Sequence, residues 1–274
     1  MQPLTLWPRQ DRRDIVGVFT DIDDTLTTDG AITPDALRAL ADLQSAGLHV
    51  IPITGRPVGW SEPFARTWPV DAIVAENGSV ALTLRKKGLK PMSDVHSALS
   101  KLYQQDAATR ATNFARMQQV AQRMLREIPG AMLTQDSAGR ETDIAIDHSE
   151  FAQLSPVQIA QVVALMQREG MTATVSSIHI NGWFGEHNKL AGARWIVREL
   201  FQRDLDAEIE RWVYVGDSTN DQIMFEHFPH SVGVANIRRF EADLVHPPRY
   251  VTQGERGAGF AELARAILEH AGST

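Results

Sequence analysis

Short apolar runs alternate with amphipathic stretches over the first eighty positions. "IVGVFT" (15–20) is β-branched or apolar almost throughout, as a strand covered on both faces must be. "TPDALRALADLQSAG" follows, with Thr33 placed to cap a helix, Pro34 at its first position and Gly47 at its stop. The spacing puts Leu37, Leu40, Ala41 and Gln44 on one side, with Leu43 flanking. "HVIPIT" (49–54) reads as a second strand and "DAIVAE" (71–76) as a third. Strand, helix and strand at these distances predict right-handed βαβ units and a parallel sheet.

The rhythm changes from about residue 81 to 180. Phe114, Met117, Ala121, Met124, Leu125 and Ile128 form one helical stripe; Ile159, Val162, Val163 and Met166 form another. Both stripes are expected to be core packing. Strand-like pieces, "TDIAIDH" (142–148) and "TATVSSIHI" (172–180), lie around them. The α/β alternation then resumes. "NKLAGARWIVRELFQ" (188–202) and "NDQIMFEHF" (220–228) read as helices, as does the closing "GFAELARAILEH"; "WVYVGD" (212–217), "SVGVAN" (231–236) and "ADLVH" (242–246) read as strands. The expected fold is α/β: a Rossmann-like doubly wound parallel-sheet core, residues 1–84 and 181–274, with an α+β unit inserted at 85–180.

Composition alters this picture little. The 274 residues are 43% hydrophobic and 22% charged, with a net charge of -7, ordinary for a globular chain with a substantial core. Basic residues cluster only briefly, as in Arg85-Lys86-Lys87, so no nucleic-acid partner is expected. There is no cysteine, which removes disulfides, thiolate zinc sites and cysteine nucleophiles. "MQPLTLWPRQDRRD" lacks the apolar stretch of a signal peptide, and no run reaches membrane-spanning length. A cytoplasmic location without membrane contact is the expectation.

The chemistry gathers at strand ends. "VFTDIDDTLT" (18–27) crowds Asp21, Asp23 and Asp24 behind the first strand. Ligands of such sheets bind outside the carboxyl ends of the strands. In extended chain Asp21 and Asp23 share a side, and two close carboxylates need an offset, most simply a hard divalent cation such as Mg2+. "VYVGDSTND" repeats the arrangement, with Asp217 at a strand end and Asn220 and Asp221 opening a helix. "IPITGRP" ends a strand at Thr54 and Gly55, whose hydroxyl and amides suit phosphate oxygens. Lys189 occupies a first helical turn, where the dipole disfavours a cation unless an anion is near.

Asp21-Ile-Asp23-Asp-Thr25, then Thr54, then Lys189, then Gly216-Asp217-Ser-Thr-Asn220-Asp221 resemble the four motifs of the haloacid dehalogenase (HAD) phosphohydrolase superfamily. The order and strand-end placement are similar too. The insertion between Thr54 and Lys189 resembles a class II cap. "IVAENGSV" and "VGVAN…ADLV…GAGFAELARAIL" look like subtype IIB, Cof-type members. The resemblance implies a Mg2+-dependent phosphatase. Asp21 would be the nucleophile that becomes an aspartyl-phosphate, and Asp23 the general acid and then base. Thr54, Gly55, Lys189 and Asn220 would hold the phosphoryl group. Asp21, the Asp23 carbonyl and Asp217 would hold the metal, with Asp221 near it or linked to Lys189. The family's usual Gly is Asp24 here, at a position that calls for positive φ. The cap residues Arg140, His179, Asn181, Trp183 and His187, with Arg56 of the core, are the substrate candidates. Trp183 would stack on a sugar face or pack at a hinge. Sugar phosphates are the usual substrates of the subtype, including trehalose-, sucrose- and mannosyl-glycerate-type phosphates. "NGW" with a later Lys also resembles eukaryotic phosphomannomutase, so a phosphomutase is the alternative. A receiver-like phospho-accepting module is a remote one: receivers lack the long insertion and the D-x-D-x-T run.

Overall fold

The structure, a computed structural model, describes residues 1–84 and 98–269; the Arg85-Lys86-Lys87 cluster lies outside them. Six strands form a parallel sheet in the order Gln2–Pro3, Tyr250–Val251, His230–Gly233, Trp212–Gly216, Gly17–Thr20 and His49–Pro52. Both chain segments therefore interleave in one sheet. Its central pair registers Val18 with Val213 and Thr20 with Val215. Alternation along a strand sends Val18 to one covered face and Phe19 to the other. The first face packs on helices Pro34–Ser45, Val58–Thr67 and Arg256–Leu268, the second on Lys189–Phe201 and Gln222–His227. Each fully buried large side chain here contributes roughly 1.5–3 kcal/mol.

Several elements differ from the sequence reading, each for a local reason. Ile73–Ala75 joins the parallel sheet through one bridge, Ile53 to Val74, then pairs antiparallel with Val80–Leu84, which pairs with Leu99–Tyr103. The inner face of helix Pro34–Ser45 runs through Ala36, Ala39, Leu40 and Leu43, while Leu37 is 37% exposed. That set has the i, i+3, i+4, i+7 spacing of one helical stripe. "TATVSSIHI" is a hairpin, Thr172–Val175 against His179–Trp183, not one strand. Ser176 makes the turn: its hydroxyl accepts the amides of Ile178 and His179. "ADLVH" forms no strand; Val245 stands 79% exposed, and the last strand is Tyr250–Val251, beyond two prolines.

The insert has its own antiparallel sheet, ordered Thr172–Val175, His179–Trp183, Ile144–Asp147, Met132–Leu133. Helices Ala107–Glu127 and Pro156–Arg168 pack on it through Met117, Met124, Val162 and Met166. Phe114 of the expected stripe sits at the rim instead, 36% exposed. Leu99–Tyr103 pairs with Val80–Leu84 in a separate three-stranded sheet, and His179–Trp183 lies in the insert's sheet.

Candidate active site

Asp21, Asp217 and Thr54 each follow the carboxyl end of a core strand. Asp21 donates its amide to the Val215 carbonyl at 2.9 Å, and Thr54 donates its amide to Val74 at 2.9 Å. The strand pairing thus fixes the carboxylates side by side. One oxygen from each of Asp21, Asp217 and Asp221 lies within 4.8 Å of the others, and all three residues are buried. Asn188 caps helix Lys189–Phe201 by accepting the Ala191 amide at 2.9 Å. That cap starts the helix where Lys189 reaches Asp21 at 2.9 Å and Asp221 at 2.6 Å. The anion that a lysine in a first helical turn demands is therefore present twice.

Asp221 is saturated. Its Oδ1 accepts Lys189 and the Tyr214 hydroxyl; its Oδ2 accepts the amides of Asp217 at 3.0 Å and Ser218 at 3.2 Å. Four donors fill the four lone-pair sites of a carboxylate. Of the two expected places for Asp221, near the metal or linked to Lys189, the hydrogen bonds show the link to Lys189 and tie it to the Asp217 loop. Gly216 allows this, because a Cβ there would meet Asp221 Oδ2 at 2.3 Å. Asp217 is the opposite case. Asn236 donates to its Oδ2 at 3.2 Å, while Oδ1 is buried with no hydrogen-bond partner. Such an orphan costs a few kcal/mol unless something binds it.

The electrostatics agree. Burial pushes the Asp21 carboxyl up to about 7; Lys189 opposes this, and Asp221 and Asp23 add to it. Burial, then Asp21 and Asp221, drive Asp217 well above the carboxylate range. Burial works against the charge of Lys189, but Asp21 and Asp221 outweigh it and raise its pKa. One lysine does not balance this many buried carboxylates. An all-oxygen donor set with an unpartnered oxygen fits a hard divalent cation held by Asp21 and Asp217.

Asp23 faces away from this cluster toward Arg56, whose Nε lies 3.0 Å from its Oδ2. Thr54 is fully buried and its hydroxyl accepts the Arg56 amide at 3.0 Å. Asn220 accepts the Ser218 hydroxyl at 2.8 Å. Asp24 sits at φ 54° in the left-handed region, which Asp tolerates. Asn236 ties its carbonyl to the Asp217 carboxylate.

Asp21, Asp23, Thr54, Gly55, Arg56 and Asn220 line a cleft whose other wall is the insert hairpin Ser176–His179 with Asn181. The enclosed cavity is about 10 Å³, room for roughly one water. Of the insert candidates, His179 and Asn181 reach this wall. His179 Nε2 pairs with Glu150 at 2.7 Å, and the Asn181 amide donates to Gly55 O at 3.2 Å and Asp143 at 2.9 Å. Arg140 stands behind it as a strut, donating to Gly55 O at 3.0 Å and to Asp143 at 2.7 Å. Trp183 and His187 are elsewhere. The Trp183 indole lies in the insert core, donates to His187 O at 2.9 Å and stacks on the His187 ring at 5.3 Å. Burial with no partner pushes His187 down to about 4. Both side chains are buried and neither lines the cleft.

Some members of the site carry no sequence signal. Tyr214 is hidden in an apolar strand run, and Asp136 and Glu150 in polar loops. Asn236 lies in the "VGVAN" stretch already noted for its resemblance.

Residues 18–127 match the model of a family described as haloacid dehalogenase-like hydrolase. That stretch holds the Asp21–Thr25 run and Thr54. The match supports an enzyme of the hydrolase type. No curated protein sequence matches it. Its fold is similar to that of a Thermoplasma acidophilum protein, with TM-score 0.66 and 15% identity over 93% of this chain and 98% of that one. It is also similar to the sucrose-phosphatase of Synechocystis, solved with sucrose and phosphate, at TM-score 0.63 and 16% identity, with 93% and 98% covered. A HAD subclass IIB sugar phosphatase, BT4131, aligns at TM-score 0.61 and 15% identity, again over 93% and 98%. At these identities the likeness is one of fold. No helix among the described residues is long and apolar enough to cross a membrane.

Proposed function

We propose that this HAD-like hydrolase is a Mg2+-dependent phosphomonoesterase that acts through an aspartyl-phosphate on a small phosphorylated metabolite, most simply a sugar phosphate. One observation carries the reading: a buried Asp21 beside Lys189 and beside an Asp217 oxygen with no partner.

Asp21 attacks the phosphorus. The new O–P bond forms as the ester O–P bond breaks, and Asp23 gives its proton to the departing alkoxide. Water then attacks the aspartyl-phosphate, Asp23 takes the proton, and inorganic phosphate leaves with Asp21 regenerated. Lys189, the Thr54 hydroxyl and Asn220 hold the phosphoryl oxygens, since this transfer depends chiefly on positioning and charge neutralisation. Asp21, Asp217 and the Asp23 main-chain carbonyl are the groups that would hold Mg2+, which when bound neutralises charge on the phosphoryl oxygens. Asp23 must leave Arg56 to act, and the cleft must widen to admit substrate.

The neighbours named sucrose-phosphatase and sugar phosphatase support the substrate class by analogy of fold. The phosphomutase alternative rests on the "NGW" motif with the later Lys189; of these, the Trp183 indole is packed in the insert core while Lys189 stands beside Asp21. The test is phosphate release from a sugar phosphate panel with and without Mg2+. Release only with Mg2+, lost on chelation, is expected; transfer to a second sugar hydroxyl without free phosphate would overturn the hydrolase assignment.

A further inference from the structure

The phosphatase reading leaves the leaving group open, and the charges at the cleft mouth bear on it. Arg56 spends all five N–H groups there. Nε serves both Asp23 oxygens at 3.1 and 3.0 Å. Nη2 serves Asp23 Oδ1 at 3.0 Å and Glu150 Oε1 at 3.2 Å. Nη1 serves Asp136 Oδ2 at 3.2 Å and Glu150 Oε2 at 3.5 Å. Three carboxylates thus surround one guanidinium. The nearby Arg140 is committed to Gly55 O, Asp143 and Asp136, and its remaining Nε is enclosed.

Asp136 and Glu150 stay partly accessible, with side chains 16% and 26% exposed. The other insert groups on the cleft wall, Ser176, Ser177, His179 and Asn181, include no lysine or arginine. A substrate with its phosphoryl group beside Lys189 therefore sends its other end toward carboxylates that, among the described residues, outnumber the arginines they touch. Hydroxyl groups suit that end, because a carboxylate only accepts hydrogen bonds and a sugar hydroxyl donates. A second phosphate or a carboxylate would meet like charge, and even when Asp23 turns to the leaving group Arg56 stays shared between Asp136 and Glu150.

We propose that the Asp136–Glu150–Arg56 cluster selects monophosphates of uncharged, hydroxyl-rich leaving groups and rejects leaving groups that carry a second anion. The inference rests on the phosphatase reading of the same site. It narrows that reading: neutral sugar and disaccharide phosphates are favoured over sugar bisphosphates and phosphorylated sugar acids.

The test compares kcat/KM, with Mg2+, for a hexose 6-phosphate and a disaccharide 6-phosphate against a hexose 1,6-bisphosphate and 3-phosphoglycerate. p-Nitrophenyl phosphate serves as a general reporter of phosphatase chemistry. The better neutral substrate should exceed both anionic ones by about tenfold or more. Glu150→Gln and Asp136→Asn, made separately so that one folded variant suffices, should each shrink that ratio about threefold or more. A wild-type ratio near one, or variants with an unchanged ratio, would overturn the selection while p-nitrophenyl phosphate turnover still supports the phosphatase. No Mg2+-dependent release from any ester would overturn both.

Discussion

The two walls of the cleft handle negative charge in opposite ways. On the core wall Asp21, Asp217 and Asp221 are buried, one lysine serves Asp21 and Asp221, and Asp217 Oδ1 has no partner. On the insert side Asp136, Glu150 and Asp143 all touch an arginine, the first two sharing Arg56 and the third on Arg140. Burying unpaired charge is expensive, so a chain keeps it only where something else will bind. On the proposed function, the contrast separates a wall suited to a cation and a phosphoryl group from a wall held by ion pairs.

Unequal losses should follow. Asp21→Asn keeps the shape of the core wall but removes the attacking oxygen's charge, and phosphate release should fall by about 10⁴-fold or more. Circular dichroism and thermal melting should show the variant folded. Turnover near wild type in a folded Asp21→Asn protein would remove Asp21 from the chemistry, and with it the distinction between the walls.

A finer cut lies within the core wall. Asp217 offers a free oxygen; Asp221 offers none. Asp217→Asn should raise the half-saturating Mg2+ concentration by about 100-fold, and Asp221→Asn, acting through its neighbours, by about tenfold. Titration calorimetry on both variants measures the split. Equal weakening would mean that Asp221 surrenders its four donors to bind metal directly.

Which parts of this were legible beforehand follows from how local each cause is. Asp21 and Asp217 sit one step, and Thr54 two steps, beyond apolar strands, so a run of hydrophobic residues ending in a polar one announces them. Lys189 was suspicious because it opposed its own helix dipole, and the dipole is a local property. The pairing of Arg56 with Asp136 and Glu150 spans 80 and 94 residues, and no spacing encodes that. Leu37 was misplaced and Leu43 undervalued, because a stripe shifted by one position looks equally amphipathic until the sheet says which side is inside. The Ser176 turn was missed because "TATVSSIHI" is rich enough in β-formers to mask two serines.

Glu76 shows the insert being held by buried charge rather than by surface pairs. It projects from the core and accepts the amides of Val58 at 3.0 Å and Glu141 at 3.0 Å, with the amide and hydroxyl of Thr142. Burial and Asp143 push it up to about 7, against those donors. A carboxyl raised on folding stabilises most below its unfolded value and loses that contribution as pH rises through its folded one. Stability should therefore fall between about pH 4.5 and pH 7 by on the order of 3 kcal/mol from this group. Glu76→Gln should flatten that slope in urea titrations across the window. An identical slope in the variant would mean that Glu76 is ionised throughout.

The smallest expected effect tests whether an aromatic on the insert serves the ligand or the fold. Trp183 was a candidate for stacking on a sugar, yet its side chain is enclosed beside Met166, Met171 and Ile180, and its indole N–H is spent on His187 O. Trp183→Phe keeps an aromatic ring, deletes that hydrogen bond and leaves a small void. The loss should be about 1–3 kcal/mol in folding stability, with KM for the best substrate changed less than about twofold. The two readouts point different ways for the two roles. A packing residue moves the melting curve and spares KM, whereas a platform for substrate would move KM and barely touch the melt. The second pattern would require the insert to open far enough to turn its own core toward the cleft.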